Sequence, residues 1–328
     1  MEISGYTAED TATVAEVVDL LNAAGKVDAP WAHPETVRCW TGTVRSGWDG
    51  EAPRCFVARD EGRVVGHGTL WLFEYDNRHL AWCDVVVHPD ARRRGHGSAL
   101  LDFLSSSARD HGRRVLGTDG WDNPVTRAFA RRHRLAQRST AVQRRQHLDS
   151  LDTATTARLH ERARAAAAAY GLLRLPGRTP PELLDAVAEM SAAINDAPTD
   201  DLDLEDERFP VERIEGYERA SEARGRRLYR VVARHRTTGE LAGHTVVEVD
   251  AERPEIGHQE DTSVVRRHRG HRLGVLLKTE MLRWLAEVEP QLRTIDTWNT
   301  ESNDHMIAVN EELGYQVLGR ELQFQREI

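Results

Sequence analysis

A chain of 328 residues is about twice the size of a common domain, so two domains are expected. Its net charge is −9, and only Lys26 and Lys278 among its 44 basic residues are lysines, which leaves no basic tail for nucleic acid. No apolar run reaches the ~18–20 residues of a membrane span, and the start MEISGYTAED lacks a basic-then-apolar signal pattern, so a cytoplasmic protein with no membrane partner is expected.

In chain order, residues 55–59, 64–72 and 80–87 are β-rich runs separated by polar or Gly-containing turns, which predicts an antiparallel meander. Leu100, Leu101 and Leu104 then recur at helical spacing between Ser98 and Ala108, followed by a short strand at Val115–Leu116 and a helix near 124–133. The Ala/Arg-rich stretch 150–170 predicts a connecting helix. A further helix is expected from about Glu182 to Ala193, and the acidic run 199–207 reads as a solvated loop. The earlier order then returns, with strands at 228–234, 241–249 and 261–265, a helix at 273–287, a strand at 294–298 and a helix at 302–313.

Spacing turns this likeness into a duplication. Val87, Arg92 and Gly97 recur as Val264, Arg269 and Gly274 at an offset of 177, and Asn123 and Leu135 recur as Asn303 and Tyr315 at 180. The expected boundaries are residues 1–150 for the first domain, 151–175 for a connecting helix and the first strand of the second copy, and 176–328 for the second domain. Residues 1–164 carry 23 basic and 22 acidic side chains and 165–328 carry 21 and 31, so the copies differ in charge.

Cys39, Cys55 and Cys83 are odd in number and form no C-x-x-C pair, which predicts neither disulfides nor a metal site but reduced core residues. The chemistry gathers at 85–101, where a strand runs through an Arg/Gly turn into an amphipathic helix and backbone N–H groups collect at a positive helix start. Such a turn suits a pyrophosphate, with Gly95 and Gly97 admitting close backbone approach and Arg92, Arg93 and Arg94 adding charge.

Arg92, Gly95 and Gly97 match [QR]-x-x-G-x-[GA], preceded by Val85-x-Val87-x-Pro89, and this resembles motif A of the GNAT superfamily of N-acetyltransferases. The second copy, with Arg269, Gly270 and Gly274, places Arg272 where the motif's first glycine stands. A downstream asparagine motif resembles Asn303 and Gly314-Tyr315, with Asn310 in place of its tyrosine; the first copy keeps Asn123 but has Ala130 and Leu135. The layout resembles the tandem two-domain acetyltransferases related to mycothiol synthase.

The resemblance implies an α/β (α+β) fold of two tandem GNAT-like domains, each a mixed, mainly antiparallel central sheet flanked by helices. It implies acetyl-CoA as cosubstrate, no metal, and a small-molecule primary amine as acceptor, in a monomer with an internal pseudo-dimer or a simple homodimer. Val85, Val86, Val87, the turn Arg92 to Arg94, Gly95, His96, Gly97 and Asn123 are the implied cofactor residues of the first copy. In the second they are Val264, Arg269, Gly270, His271, Arg272, Gly274, Asn303 and Asn310. The position six residues before the motif valine is His258 in the second copy and Ala81 in the first, so His258 is the expected catalytic base. Asp261, matched by Asp84, is a second candidate. With His258, Asn303 and Gly314-Tyr315 retained, the second copy is the favoured catalytic one, the opposite assignment staying open. No copy keeps the tyrosine that reprotonates the thiolate.

A non-catalytic acyl-CoA sensor of degenerate domains is the alternative. The tripeptides Asp28-Ala29-Pro30 and Asp196-Ala197-Pro198 line the acceptor clefts or simply end helices. Of eight tryptophans six fall in the first half, walling an aromatic pocket or packing a core.

Overall fold

The computed structural model describes residues 1–328. The elements are β1 (Glu2–Tyr6), α1 (Thr11–Asp28), α2 (Val37–Ser46), β2 (Arg54–Asp60), β3 (Arg63–Leu72), β4 (Leu80–Val87), α3 (His96–Asp110), β5 (Val115–Trp121), α4 (Pro124–Arg132) and β6 (Ala136–His147). There follow α5 (Thr153–Ala166), β7 (Tyr170–Pro176), α6 (Leu184–Ser191), α7 (Val211–Ala223), β8 (Arg226–His235), β9 (Leu241–Asp250), β10 (Ile256–Val264), α8 (Leu273–Val288), β11 (Thr294–Thr300), α9 (Asp304–Glu312) and β12 (Gln316–Glu327).

The chain forms two compact units that are not its two halves. The first holds residues 1–141, 199–206 and 319–328; the second holds 142–198 and 207–318. The first unit's sheet runs β1-β2-β3-β4-β5 and is completed by β12, the last strand of the chain. The second runs β7-β8-β9-β10-β11 and is completed by β6. The contiguous division at residue 150 misses this exchange of final strands, because those strands carry polar sequences with little hydropathy to read.

Both sheets follow one plan. An antiparallel meander leads to one parallel pair, β4 with β5 in the first unit and β10 with β11 in the second. In the first unit Leu100, Leu101, Leu104 and Ala108 of α3 are buried against the sheet. Gly66 of β3 makes the approach possible, since a Cβ there would stand 2.8 Å from Leu100 Cδ1. In the second unit α8 buries Leu276, Leu277, Met281 and Leu285 in the same way.

The helix expected at 182–193 is α6 between two short 3-10 turns. The run 199–207 is the exposed loop expected, and two backbone groups tether it: Asp203 N–H donates to Gln325 Oε1 at 2.7 Å and Glu205 N–H to Asn77 Oδ1 at 2.7 Å. His79 adds a contact of 3.3 Å to Asp203. The three cysteines are buried, as expected of core residues.

Candidate active site

Sequence periodicity ends β4 at a turn, and the ladder shows why that end is useful. The parallel register between β4 and β5 runs from Leu80↔Val115 to Cys83↔Thr118 and stops, while β4 continues to Val87. Asp84 to Val87 therefore lack a ladder partner on β5. In the second unit the pairing stops at His258↔Asp296, and β10 is bulged between Gln259 and Thr262.

The turns after these strands use the same backbone with opposite residues. In the first unit Arg93 and Gly95 are left-handed, at φ 66° and 92°; in the second the matching positions are Gly270 and Arg272, at 85° and 54°. Gly95 and Arg272 cap the following helices. The motif arginines are structural in both: Arg92 Nε donates to Val87 O at 3.1 Å and both Nη atoms bind Asp28, at 2.8 and 2.6 Å. Arg269 repeats this with Val264 O at 3.0 Å and Asp196 at 2.6 Å. The aspartates of the two Asp-Ala-Pro tripeptides thus hold the motif arginines, and neither Arg92 nor Arg269 is free to add charge for a phosphate.

The remaining arginines separate the units. Arg93 and Arg94 have no carboxylate partner, and Arg93 lines the cavity described below. In the second unit Arg266 also pairs with Asp196, Arg267 with Glu240 at 3.2 Å and Arg272 with Glu312 at 3.1 Å. Its turn is neutralised.

A cavity of about 780 Å³ opens in the first unit, lined by Asp84 to Val87, the turn residues Arg92, Arg93, Gly95, His96 and Gly97, and Asn123. Trp40, His67, Asp119, Trp121, Ala130 and Glu321 line it too. Three carboxylates here lack an arginine. Thr69 Oγ1 donates to Asp84, as does Trp71 Nε1 at 3.2 Å, and Trp82 Nε1 donates to Asp119 at 2.9 Å. Burial raises all three carboxyls. Asp119 is lifted well above the carboxylate range, with Glu321 and Asp84 adding to it, and Glu321 is pushed up to about 7, with Asp84 adding to it.

In the second unit the buried carboxylates of α7 and β9 face arginines. Glu218 meets Arg230 at 2.8 Å, and Glu248 meets Arg226 at 2.8 Å and Arg224 at 3.3 Å. Burial would raise Glu248, but Arg224 and Arg226 outweigh it and hold the carboxyl below its usual range. Glu260 rises to about 8 through burial and the nearby Glu248.

Of the expected bases, His258 is partly buried on β10 between Glu248 and Asp296 in the ladders. Asp261 is exposed beside the bulge between Gln259 and Thr262. Asn123 and Asn303 cap α4 and α9, accepting from Thr126 N–H at 2.9 Å and Met306 N–H at 3.1 Å. Asn310 is wholly buried: Lys278 Nζ donates to its Oδ1 at 2.7 Å, and its Nδ2 donates to Asn299 at 2.6 Å. His96 lies beside Met1 Sδ at 3.0 Å, and the His271 ring is 5.5 Å from that of Tyr170. Asp119, Glu321 and His67 were not singled out from sequence. Glu321 reaches the cavity on a strand some 200 residues beyond β5 in the chain, so no local spacing marks it.

A sequence profile described as the acetyltransferase (GNAT) family matches residues 16–134 and again 195–315. The chain belongs to this GNAT family. A mycothiol acetyltransferase of Stackebrandtia nassauensis is 32% identical over 152 residues, which cover 45% of this chain and 47% of that protein. Another, from Parafrankia, is 32% identical over 149 residues, 45% of this chain and 44% of that one. The chain thus spans about half the length of the curated relatives it matches. Among solved structures a tandem GNAT protein from the clavulanic acid biosynthesis pathway superimposes with a TM-score of 0.82 at 30% identity, covering 99% of this chain and 98% of that one. A GNAT protein from Sphaerobacter thermophilus, at 14% identity and a TM-score of 0.68 over 99% and 95% of the chains, shares the fold.

Proposed function

We propose that the first unit transfers an acetyl group from acetyl-CoA to a primary amine of a small molecule, and that the second unit is a supporting copy. One observation carries the assignment. The end of β4 left without a partner on β5, a turn with unneutralised arginines and three carboxylates free of arginine line a single cavity of about 780 Å³. This reverses the preference for the second copy drawn from His258, Asn303 and Gly314-Tyr315. The reaction is read as cytoplasmic, in keeping with three reduced cysteines.

The residues suit the substrates. Arg93 and the N–H groups at the start of α3 would hold the pyrophosphate, and the open edge of Asp84–Val87 would pair with the pantetheine amides. The oxygens of the three carboxyls accept hydrogen bonds from an ammonium group. Above about pH 7 Glu321 is ionised and takes a proton from the amine, directly or through a water, as nitrogen bonds to the thioester carbonyl carbon. A backbone N–H of β4 meets the oxyanion. Collapse breaks the C–S bond, and the thiolate leaves to be protonated by solvent, since Ala130 stands where the family's tyrosine would serve.

Calorimetric titration with acetyl-CoA followed by thiol release against an amine panel tests this reading. One equivalent of acetyl-CoA is expected per chain. Gly97→Glu, which puts a carboxylate against the pyrophosphate, abolishes binding, and Gly274→Glu leaves it. Binding lost through Gly274→Glu instead reverses the assignment and returns His258 and Asp261 as the bases to test by substitution. Binding without turnover of any amine favours an acyl-CoA sensor.

A further inference from the structure

One polar pair beside the phosphate turn belongs to the first unit alone. Ser98 stands one residue after Gly97 in the first turn of α3, and its Oγ lies 2.9 Å from Nε2 of His133, the residue that caps the end of α4. At the offsets of 177 and 180 that relate the copies, the matching residues are Val275 and Leu313, which are 5% and 1% exposed in the second unit's core. The second unit fills the same place with hydrocarbon, and its turn is the one whose arginines are neutralised. The fold therefore does not need a hydrogen bond here, and the polar pair stands where the turn keeps its charge.

The pair is held from several sides and opens on the cavity. Phe129, one turn before His133 on α4, has its ring 4.5 Å from the imidazole, and a Cβ on Gly97 would stand 3.3 Å from its Cε2, so α4 rests directly on the start of α3. From β12, Arg326 donates to His133 O at 2.8 Å and to Ser105 Oγ at 2.7 Å, tying the end of α4 to α3. Ser98 is partly exposed and lines the cavity with Arg93, Gly95, Gly97 and Arg132. Burial, aided by Arg326 and Arg132, outweighs Asp102 and holds the His133 pKa below its usual range, so the ring is neutral at pH 7 and carries one N–H.

A serine hydroxyl has one proton to donate and can accept as well, whereas the oxygens of an ionised pyrophosphate only accept. An anion within reach of Ser98 takes the hydroxyl proton, and Oγ is left to accept from an imidazole that carries its hydrogen on Nε2. We propose that Ser98 Oγ–H donates to a pyrophosphate oxygen of acetyl-CoA and that His133 is the positioning residue that turns the hydroxyl toward it. The pyrophosphate is the group in question, and not the 3′-phosphate, because Ser98 adjoins Gly97 in the same helix start whose N–H groups face the pyrophosphate. This inference rests on the acetyl-transfer reading of the cavity and adds to it two side chains that lie outside the motif, which ends at Gly97.

The test is calorimetric titration of the full-length protein and its variants with acetyl-CoA and with 3′-dephospho-acetyl-CoA, which keeps the pyrophosphate, and NMR titration with acetyl-pantetheine, which has no phosphate. Ser98→Ala is expected to weaken binding of both nucleotides roughly ten-fold, the loss of a hydrogen bond to an anion, and to leave acetyl-pantetheine unchanged. His133→Leu, which installs the second unit's own residue, weakens both about five-fold, and His133→Gln, whose amide donates from near the Nε2 position, recovers most of that loss. The double variant Ser98→Ala with His133→Leu binds within about two-fold of Ser98→Ala alone, because His133 acts only through the hydroxyl. Fully additive losses, a loss shared by acetyl-pantetheine, or a loss seen with acetyl-CoA and absent with its 3′-dephospho form each overturn the inference. A parent protein that binds no acetyl-CoA overturns the acetyl-transfer reading and this inference with it, whereas binding that Ser98→Ala leaves at the parent's affinity overturns this inference alone.

Discussion

Glu321 is a carboxylate that folding places where ionisation is costly, and the same cost makes it useful. Burial and the nearby Asp84 lift its pKa to about 7, from an ordinary value of 4.5. Because the folded state holds this proton more tightly, the stabilisation is complete below about pH 4.5 and is lost as pH rises toward 7. Catalysis has the opposite sign, for only the ionised form accepts a proton. For Glu321→Gln, kcat/KM is expected to fall by roughly 10²–10⁴ and to lose its rising limb near pH 7. The same variant melts higher than the parent at pH 8, by the equivalent of about 2 kcal/mol after allowing for solvent in the cavity. A pH–rate profile and paired thermal melts check both; a variant that is less stable at pH 8 and keeps the limb removes Glu321 from the role. Arg92 illustrates the converse, a residue marked by its motif whose charge is spent on Asp28 and on the end of β4.

At the scale of elements, the strands and helices with regular apolar spacing were legible: the meander of β2 to β4, α3, and their counterparts β8, β9 and α8 lie where periodicity puts them, whereas β10 begins at Ile256, ahead of the expected 261, because its first half is the polar run after Gly257. The strands that close each sheet were not. In β6 the buried run after Val142 is Gln143, Arg144, Arg145 and Gln146, whose polarity is answered by partners such as Asp296, bound by Arg145 at 2.6 Å, and by Leu313 O. Hydropathy has nothing to read where burial is satisfied by hydrogen bonds and ion pairs. Likewise the phosphate turn was visible from its glycines, whereas Asp119 and Glu321 needed the sheet order to bring them together. The exchange of β12 has a measurable consequence. Leu322 and Phe324 are buried in the first unit's core beside Leu101, Leu104 and Leu116, although they end the chain. Leu322→Ala is expected to cost about 2–5 kcal/mol and to weaken acetyl-CoA binding, since β12 also carries Glu321 and flanks β5. Calorimetric titration and urea unfolding of the full-length variant test it; an acetyl-CoA affinity equal to the parent's would argue that β12 does not support the site.

At the scale of the whole molecule, the charge split between the two halves of the sequence marks a difference in how the copies spend their acids. The second unit uses Asp196, Glu218, Glu240, Glu248, Glu289 and Glu312 to pair with arginines, while the first leaves three carboxylates facing a cavity. The cores diverge as well. Where the first unit has Leu101, Ala130 and Asp119, the second has Lys278, Asn310 and Asn299, joined by hydrogen bonds of 2.7 and 2.6 Å, with Lys278 Nζ 4.8 Å from the centre of the Tyr315 ring. Burial lowers the Lys278 pKa to about 7 from 10.5. Between those values the unfolded chain holds a proton that the folded one does not, so stability falls as pH drops from 10.5 to 7 and the full cost persists below. The double variant Lys278→Leu with Asn310→Ala restores the apolar pair of the first unit and removes the titrating group. Relative to it, the parent is expected to gain roughly 3–5 kcal/mol between pH 7 and pH 10.5. Urea unfolding of both proteins at pH 7, 8.5 and 10 measures the difference. Parallel stability curves would mean that Lys278 keeps its proton in the folded core, with Asn310 and the Tyr315 ring sufficient to hold the charge.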